Sequence, residues 1–177
     1  PSGLDPDLTP SRLAATRRTP ELYPAWEDYS VGRLDGAEYW RRVMSALGRE
    51  DLAGAVHDAM AATWWAQLDT RVLDLVRDLR RLPLRVAILS NSAPDHDPVA
   101  DRLAQIVDAA HFSHRTGRRK PNAEAYRAVL GALGTGAGET LFVDDKPRNT
   151  TAAAQLGLPV VVYTDFGDLR EPLSTTG

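Results

Sequence analysis

Two adjacent carboxylates follow a short apolar run toward the C-terminus of this chain. Asp144 and Asp145 come directly after the apolar residues 141–143, and Asn149 lies near the start of the next predicted helix. Such a run is typical of a buried strand, and open α/β sheets bind ligands outside the carboxyl ends of their strands. Neighbouring carboxylates repel each other unless a cation or a proton intervenes, and their oxygens suit Mg²⁺. The doublet predicts a Mg²⁺ site, with helix capping by one aspartate as the alternative.

A second polar group stands at the end of another apolar run. Ser90, Asn91 and Ser92 directly follow residues 84–89. Their hydroxyl, amide and backbone N–H groups could hold a phosphate oxygen. A strand-end turn with capping side chains is the alternative for this segment alone.

A third candidate is the basic segment that ends in Lys120, followed by Pro121 and Asn122. A lysine fixed by the following proline places a point charge that can face a phosphate or a carboxylate. The alternative is a solvated basic loop in which Pro121 and Asn122 begin the next helix. The three segments together are more specific than any one of them.

The elements that must position these residues alternate along the second part of the chain. Short apolar runs predict strands at 84–89, 110–113, 140–143 and 159–163. Helical spacing of apolar residues predicts intervening helices at 99–107, 123–133 and 150–156 and a preceding helix at 70–80. This alternation predicts an α/β fold with a Rossmann-like, mostly parallel sheet. Residues 69–177 are the predicted core, and the helical patterns in residues 1–68 predict a small helical cap.

Composition excludes several classes of protein. The chain has 177 residues, which suits one core with a small appendage, and 43% hydrophobic and 25% charged residues, which are ordinary globular values. A net charge of −3 gives no electrostatic signature of nucleic-acid or anionic-membrane binding. No cysteine is present, and no apolar run approaches the length of a membrane span. We expect a cytoplasmic protein with a small-molecule partner, without nucleic acid or membrane.

The order and placement of the three polar segments resemble the haloacid dehalogenase (HAD) superfamily of hydrolases. Residues 88–92 resemble its second motif, Lys120 with Pro121 its third, and residues 142–145 its fourth. The helical stretch at about 5–68 resembles the cap of the capped subfamily I, so the resemblance covers nearly the whole chain.

The resemblance implies a Mg²⁺-dependent phosphatase that acts on a small phosphorylated metabolite. In that family, the second-motif residue, here Ser90, binds the transferring phosphoryl group with Asn91 beside it. The third-motif residue, here Lys120, neutralises the nucleophile and the phosphate, and the fourth-motif acids, here Asp144 and Asp145, hold Mg²⁺. Dehalogenases of the superfamily lack this acid doublet in the fourth motif, so the doublet favours a phosphatase.

The family's first motif, a strand ending in Asp-x-Asp that supplies the nucleophile, has no convincing counterpart. Asp5 and Asp7 have the spacing, but only four residues precede them, too few for a buried central strand. We expect a truncated chain that is inactive or impaired. Natural loss, which would leave a non-catalytic binding protein that retains the phosphate pocket, is the alternative. A vacant strand position would also favour a homodimer formed by strand exchange.

Overall fold

The computed structural model describes residues 10–16, 19–63 and 68–169. Its contacts divide the chain into two compact units. The helical unit comprises the described part of Pro1–Leu68 with Asn91–Asp101 and Ser113–Gly117. The α/β unit comprises Asp69–Ser90, Arg102–Phe112 and the described part of Arg118–Gly177. This division reflects only which residues contact one another. The identity of residues 1–68 as an inserted cap stays a prediction.

Nine α-helices lie within the described ranges. They are α1 Pro10–Thr16, α2 Tyr23–Ser30, α3 Gly36–Ala46, α4 Ala53–Thr63, α5 Thr70–Leu79, α6 Asp97–Ala104, α7 Ser113–Thr116, α8 Ala123–Leu133 and α9 Pro147–Gln155. None of these helices has both the length and the apolar character needed to cross a bilayer.

The helical unit has an aromatic core. The Tyr29 and Tyr39 rings stack with centroids 4.1 Å apart, and the Trp40 ring meets Tyr39 edge-on at 5.3 Å. Helix α3 starts where the Asp35 side chain accepts a hydrogen bond from the Glu38 backbone N–H at 2.8 Å, which satisfies one of the unpaired donors of the first turn. The Asp35 N-cap thus sets the start of α3, and the aromatic contacts pack α3 against α2.

Four short strands form two parallel pairs in the α/β unit. Strand β1 (Ala87–Ser90) pairs with β2 (Ala109–Phe112), and β3 (Phe142–Asp144) pairs with β4 (Val160–Val162). The predicted α/β class and the parallel strand direction are confirmed. Within the described residues, however, β1 and β3 belong to separate two-stranded sheets and not to one continuous sheet. The resemblance places the first-motif strand between these two strands.

Helices α8 and α9 carry the packing of the α/β unit. Helix α8 contacts β1 and β2, and α9 contacts β3 and β4. Tyr126 of α8 is buried, meets the Phe142 ring of β3 edge-on at 5.3 Å, and donates a hydrogen bond to the Asn149 carbonyl of α9 at 2.9 Å. Burial of such a ring is worth about 2 kcal/mol. Tyr126 thus ties the start of β3 to the first turn of α9.

One feature singled out in the sequence, the segment that contains Asp5 and Asp7, lies outside the described residues. The prediction that Asp5 is not the nucleophile therefore stays a prediction.

Candidate active site

A buried ion pair joins two of the predicted site residues. Lys120 Nζ lies 2.6 Å from Asp144 Oδ2, and the two side chains are 11% and 4% exposed. Asp144 ends β3, whereas Lys120 lies in the loop before α8. Lys120 Nζ also lies 5.6 Å from the centroid of the Phe142 ring, within the range of a cation–π contact. The ammonium group of Lys120 is therefore fixed at the carboxyl end of a parallel strand.

The second oxygen of Asp144 is also bonded. Asp144 Oδ1 accepts hydrogen bonds from Asn149 Nδ2 at 2.8 Å and from the Lys146 backbone N–H at 2.9 Å. Burial by itself raises the pKa of Asp144, but the hydrogen bond and charge of Lys120, with the bonds from Asn149 and Lys146, outweigh it. The pKa of Asp144 therefore lies below its usual value, and the carboxylate is ionised at neutral pH.

Asn149 contributes a polar atom that the sequence did not assign to the site. The residue is 2% exposed, and its Oδ1 has no hydrogen-bond partner among the described residues. An unsatisfied buried carbonyl oxygen is costly, so such atoms often face a ligand or an ordered water. The signal in the sequence was the position of Asn149 in the first turn of the helix after the acid doublet.

The oxygens at this strand end suit a hard cation. Asp145 is exposed beside the buried Asp144, and Asn149 Oδ1 supplies an unpaired oxygen. The described residues contain no cluster of three or more acidic, histidine or cysteine side chains that could hold a metal. Mg²⁺ does not require one, because it usually takes one or two carboxylates and completes its shell with water and substrate phosphate. Both Asp144 oxygens are already bonded, whereas Asp145 is exposed.

The other two predicted residues stand at the end of β1. Ser90 is the last residue of β1, is half-buried, and belongs to the same unit as Lys120 and Asp144. Asn91 is also half-buried but belongs to the helical unit. The structure thus brings Lys120 and Asp144 into contact, whereas phosphate binding by Ser90 and Asn91 stays a prediction.

The fold belongs to the mixed α/β class with parallel strands, and comparison with known proteins defines the family. The family model of haloacid dehalogenase-like hydrolases matches residues 12–157. This chain belongs to the haloacid dehalogenase-like hydrolase family.

Relatives within the family include named phosphatases. The phosphoglycolate phosphatase of Rhodospirillum rubrum is 40% identical in an alignment of 185 positions, which covers 97% of this chain and 72% of that protein. The sesquiterpene phosphatase of Aspergillus oryzae is 29% identical over 145 residues, which cover 79% and 72%. Among solved structures, a mutant of a HAD family enzyme from Bacteroides thetaiotaomicron, in complex with magnesium and inorganic phosphate, has a TM-score of 0.68. That similarity has 21% identity and covers 96% and 93% of the two chains, so it shows the fold alone.

Proposed function

We propose that this protein is a Mg²⁺-dependent phosphatase core that acts on a small phosphorylated metabolite. The observation that carries the proposal is the buried Lys120–Asp144 pair beside the exposed Asp145, in a chain of a hydrolase family. The phosphatase relatives from Rhodospirillum rubrum and Aspergillus oryzae support the same class of reaction. The cytoplasmic location and the homodimer stay predictions.

Ser90, Lys120 and Asp144 are the proposed catalytic residues. The Ser90 hydroxyl donates a hydrogen bond to a phosphoryl oxygen, and Lys120 Nζ neutralises charge on the same group. Asp144 fixes Lys120, so the ammonium group is ordered before substrate arrives and little side-chain entropy is lost on binding. Phosphoryl transfer depends mainly on positioning and charge neutralisation, so a preformed cation lowers the barrier directly.

Asp144 and Asp145 are the proposed metal-binding acids. Asp145 would bind Mg²⁺, Asn149 Oδ1 would offer a further oxygen, and Asp144 would supply the neighbouring negative charge. A bound Mg²⁺ supplies Lewis-acid stabilisation of phosphoryl charge. Against the opposing effect of burial, the pKa of Asp144 is lowered chiefly by Lys120, so its own negative charge is present at neutral pH.

The nucleophile is the part of the site that the described residues do not supply. Strands β1, β2 and β4 end in Ser90, Phe112 and Val162, and β3 ends in the acid doublet, so none of the described strands ends in Asp-x-Asp. We therefore propose that the 177-residue polypeptide turns over phosphate esters slowly or not at all. This same observation favours the second candidate, a non-catalytic protein that uses the pocket to bind phosphate.

Hydrolysis of p-nitrophenyl phosphate tests the proposal. We expect clear turnover by a version extended with a first-motif strand. That turnover, and any turnover by the present polypeptide, should need Mg²⁺ and stop with EDTA. Asp144→Asn lowers the rate at least about a hundredfold, because Lys120 loses the charge that fixes it. The exposed Asp74→Asn is the matched control and keeps the wild-type rate.

Three outcomes decide between the candidates. Equal, nonzero rates for wild type and Asp144→Asn contradict the role of Asp144. Complete inactivity of the extended protein favours the non-catalytic binding protein. Loss of a measurable rate in Asp5→Asn identifies Asp5 as the nucleophile and contradicts the expectation that the polypeptide lacks one.

A further inference from the structure

A serine, a histidine and an aspartate form a hydrogen-bonded relay in the helical unit. Ser92 Oγ lies 2.7 Å from His114 Nδ1, and His114 Nε2 lies 2.8 Å from Asp97 Oδ1. Ser92 is 4% exposed and the His114 side chain 3%, whereas the Asp97 side chain is half exposed. Arg115 binds Asp97 from the solvent side, with its Nε 2.7 Å from Asp97 Oδ1. The phosphatase proposal gives none of these four residues a role.

The protons of the relay can be placed from its ends. Burial raises the pKa of Asp97, but the hydrogen bonds and charges of His114 and Arg115 outweigh it and leave the pKa below its usual value. An ionised carboxylate only accepts hydrogen bonds, so His114 Nε2 carries a proton. When the imidazole is neutral, Nδ1 is then the acceptor and the Ser92 hydroxyl donates to it. In that form the Ser92 proton is bonded to His114 and is not available to a phosphate oxygen.

The backbone of Ser92 is held as well. The Ser92 N–H donates to Ser113 Oγ at 2.9 Å, and Ser113 Oγ in turn donates to the Ser30 carbonyl at 2.6 Å. The Ser92 carbonyl lies 3.2 Å from the same hydroxyl, which has one proton and gives the better bond to Ser30. Ser113 and Ser30 are fully buried. Both the side chain and the main chain of Ser92 are therefore fixed by buried partners.

The relay has the residue types of a nucleophilic triad but not its access. A serine nucleophile must meet its substrate, and here the Ser92 residue is buried with its N–H and hydroxyl bonded to neighbours. The arrangement therefore fixes a conformation and does not deliver a nucleophile. Ser92 follows Ser90 and Asn91 directly in the chain, so fixing Ser92 restricts the turn that those residues form.

We propose that His114 and Ser113 are positioning residues that hold the Ser90–Asn91–Ser92 turn in its phosphate-binding conformation. Both act through Ser92 and touch no substrate. The inference rests on the proposed phosphate-binding role of Ser90. A turn offers hydroxyl and backbone N–H groups to an anion only when they converge, and a displacement of about 1 Å is enough to lose much of the interaction.

Amide hydrogen exchange and a titration with inorganic phosphate test this role on the same variants. We expect His114→Leu, which removes the partner of the buried Ser92 hydroxyl, to speed exchange of the Ser92 amide and to weaken phosphate binding, each by about tenfold. His114→Asn keeps an acceptor near the Nδ1 position, so its Ser92 exchange rate and its phosphate affinity should lie between those of wild type and His114→Leu. Ser113→Ala exposes the Ser92 N–H to exchange most directly. Arg115→Gln, which leaves the Ser92–His114 bond in place, is the control and stays at wild-type values.

The two readouts separate this inference from the proposed function. Wild-type exchange and wild-type phosphate affinity in both His114→Leu and Ser113→Ala overturn the positioning role and leave the phosphatase proposal standing. A wild-type protein that binds no phosphate contradicts the phosphatase proposal, and the exchange rates then still decide whether His114 and Ser113 hold Ser92. Covalent labelling of Ser92 by a fluorophosphonate probe also overturns the inference, because it shows an accessible nucleophile.

Discussion

Replacement of Lys120 with methionine is expected to lower the free energy of unfolding by about 3 kcal/mol. The substitution leaves the buried carboxylate of Asp144 without its cation, and breaking a buried ion pair at one end costs roughly 3–5 kcal/mol. The lower end applies because Asp144 keeps its hydrogen bonds from Asn149 and the Lys146 backbone. Urea denaturation at neutral pH measures the change. Lys146→Met is the matched control, since the Lys146 side chain is exposed and only its backbone bonds Asp144, and it stays within about 0.5 kcal/mol of wild type.

A double-mutant cycle shows whether this loss comes from the pair itself. In an Asp144→Asn background the lysine has lost its buried anion, so Lys120→Met should cost no more than about 1 kcal/mol. The coupling free energy between the two positions is then about 2 kcal/mol. Equal losses in the two backgrounds would contradict the ion pair as the cause of the destabilisation.

Asp95→Ala is expected to destabilise the helical unit by about 3 kcal/mol. The Asp95 side chain is 8% exposed and accepts hydrogen bonds from the Tyr29 hydroxyl and from Trp40 Nε1, the latter at 3.3 Å. Its other oxygen lies 3.2 Å from His57 Nε2. Burial, and then the bond to Asp95, raise the pKa of Tyr29, so this hydroxyl stays a donor throughout the physiological range. Truncation removes the carboxylate that accepts from the buried Tyr29 hydroxyl and from Trp40 Nε1, and loss of a buried acceptor costs roughly 1–3 kcal/mol for each bond.

The chain offers a matched control for this substitution. Asp58 also contacts His57, at 3.5 Å from Nδ1, but its side chain is 85% exposed. Asp58→Ala should therefore change the free energy of unfolding by less than about 0.5 kcal/mol. Asp95→Asn keeps one carbonyl oxygen as acceptor, so its loss of unfolding free energy should lie between those of Asp95→Ala and Asp58→Ala. Equal effects of Asp95→Ala and Asp58→Ala would show that burial of the Asp95 carboxylate is not important for stability.

Local sequence predicted the elements of the α/β unit well because their apolar patterns are short and strong. The helix predicted at 123–133 coincides with α8, and the strand predicted at 159–163 contains β4. The strand predicted at 84–89 begins only at Ala87, because the Val86 N–H is bonded to the Asp108 side chain and Leu84 is 40% exposed. Side-chain hydrogen bonds of this kind stop a strand without leaving a mark in its hydrophobic pattern.

The site was predictable where a general rule applies and not where it depends on long-range contacts. The carboxyl ends of parallel strands gather ligand-binding residues, and that rule led to Asp144. Lys120 was predicted from the proline that follows it and from its resemblance to the family's third motif. The Ser92–His114 and Asp95–His57 contacts join residues that are distant in sequence and that are mostly buried by packing of the helical unit. Sequence spacing carries no signal for such pairs. Asn149 was partly predictable. The sequence places it in the first turn of α9, but only the structure shows its unpaired oxygen.

The central claim is that Lys120, Asp144 and Asp145 form one site for both phosphate and Mg²⁺, and calorimetric titration of inorganic phosphate with and without Mg²⁺ tests it most directly. We expect saturating Mg²⁺ to tighten phosphate binding by about tenfold or more in wild type, because a bound cation attracts the phosphate anion. By linkage, phosphate then tightens Mg²⁺ binding by the same factor. Asp145→Asn should remove this coupling, Lys120→Met should weaken phosphate binding with or without Mg²⁺, and the exposed Asp74→Asn should change neither. A phosphate affinity that is independent of Mg²⁺, or a coupling that persists in Asp145→Asn, would contradict the account.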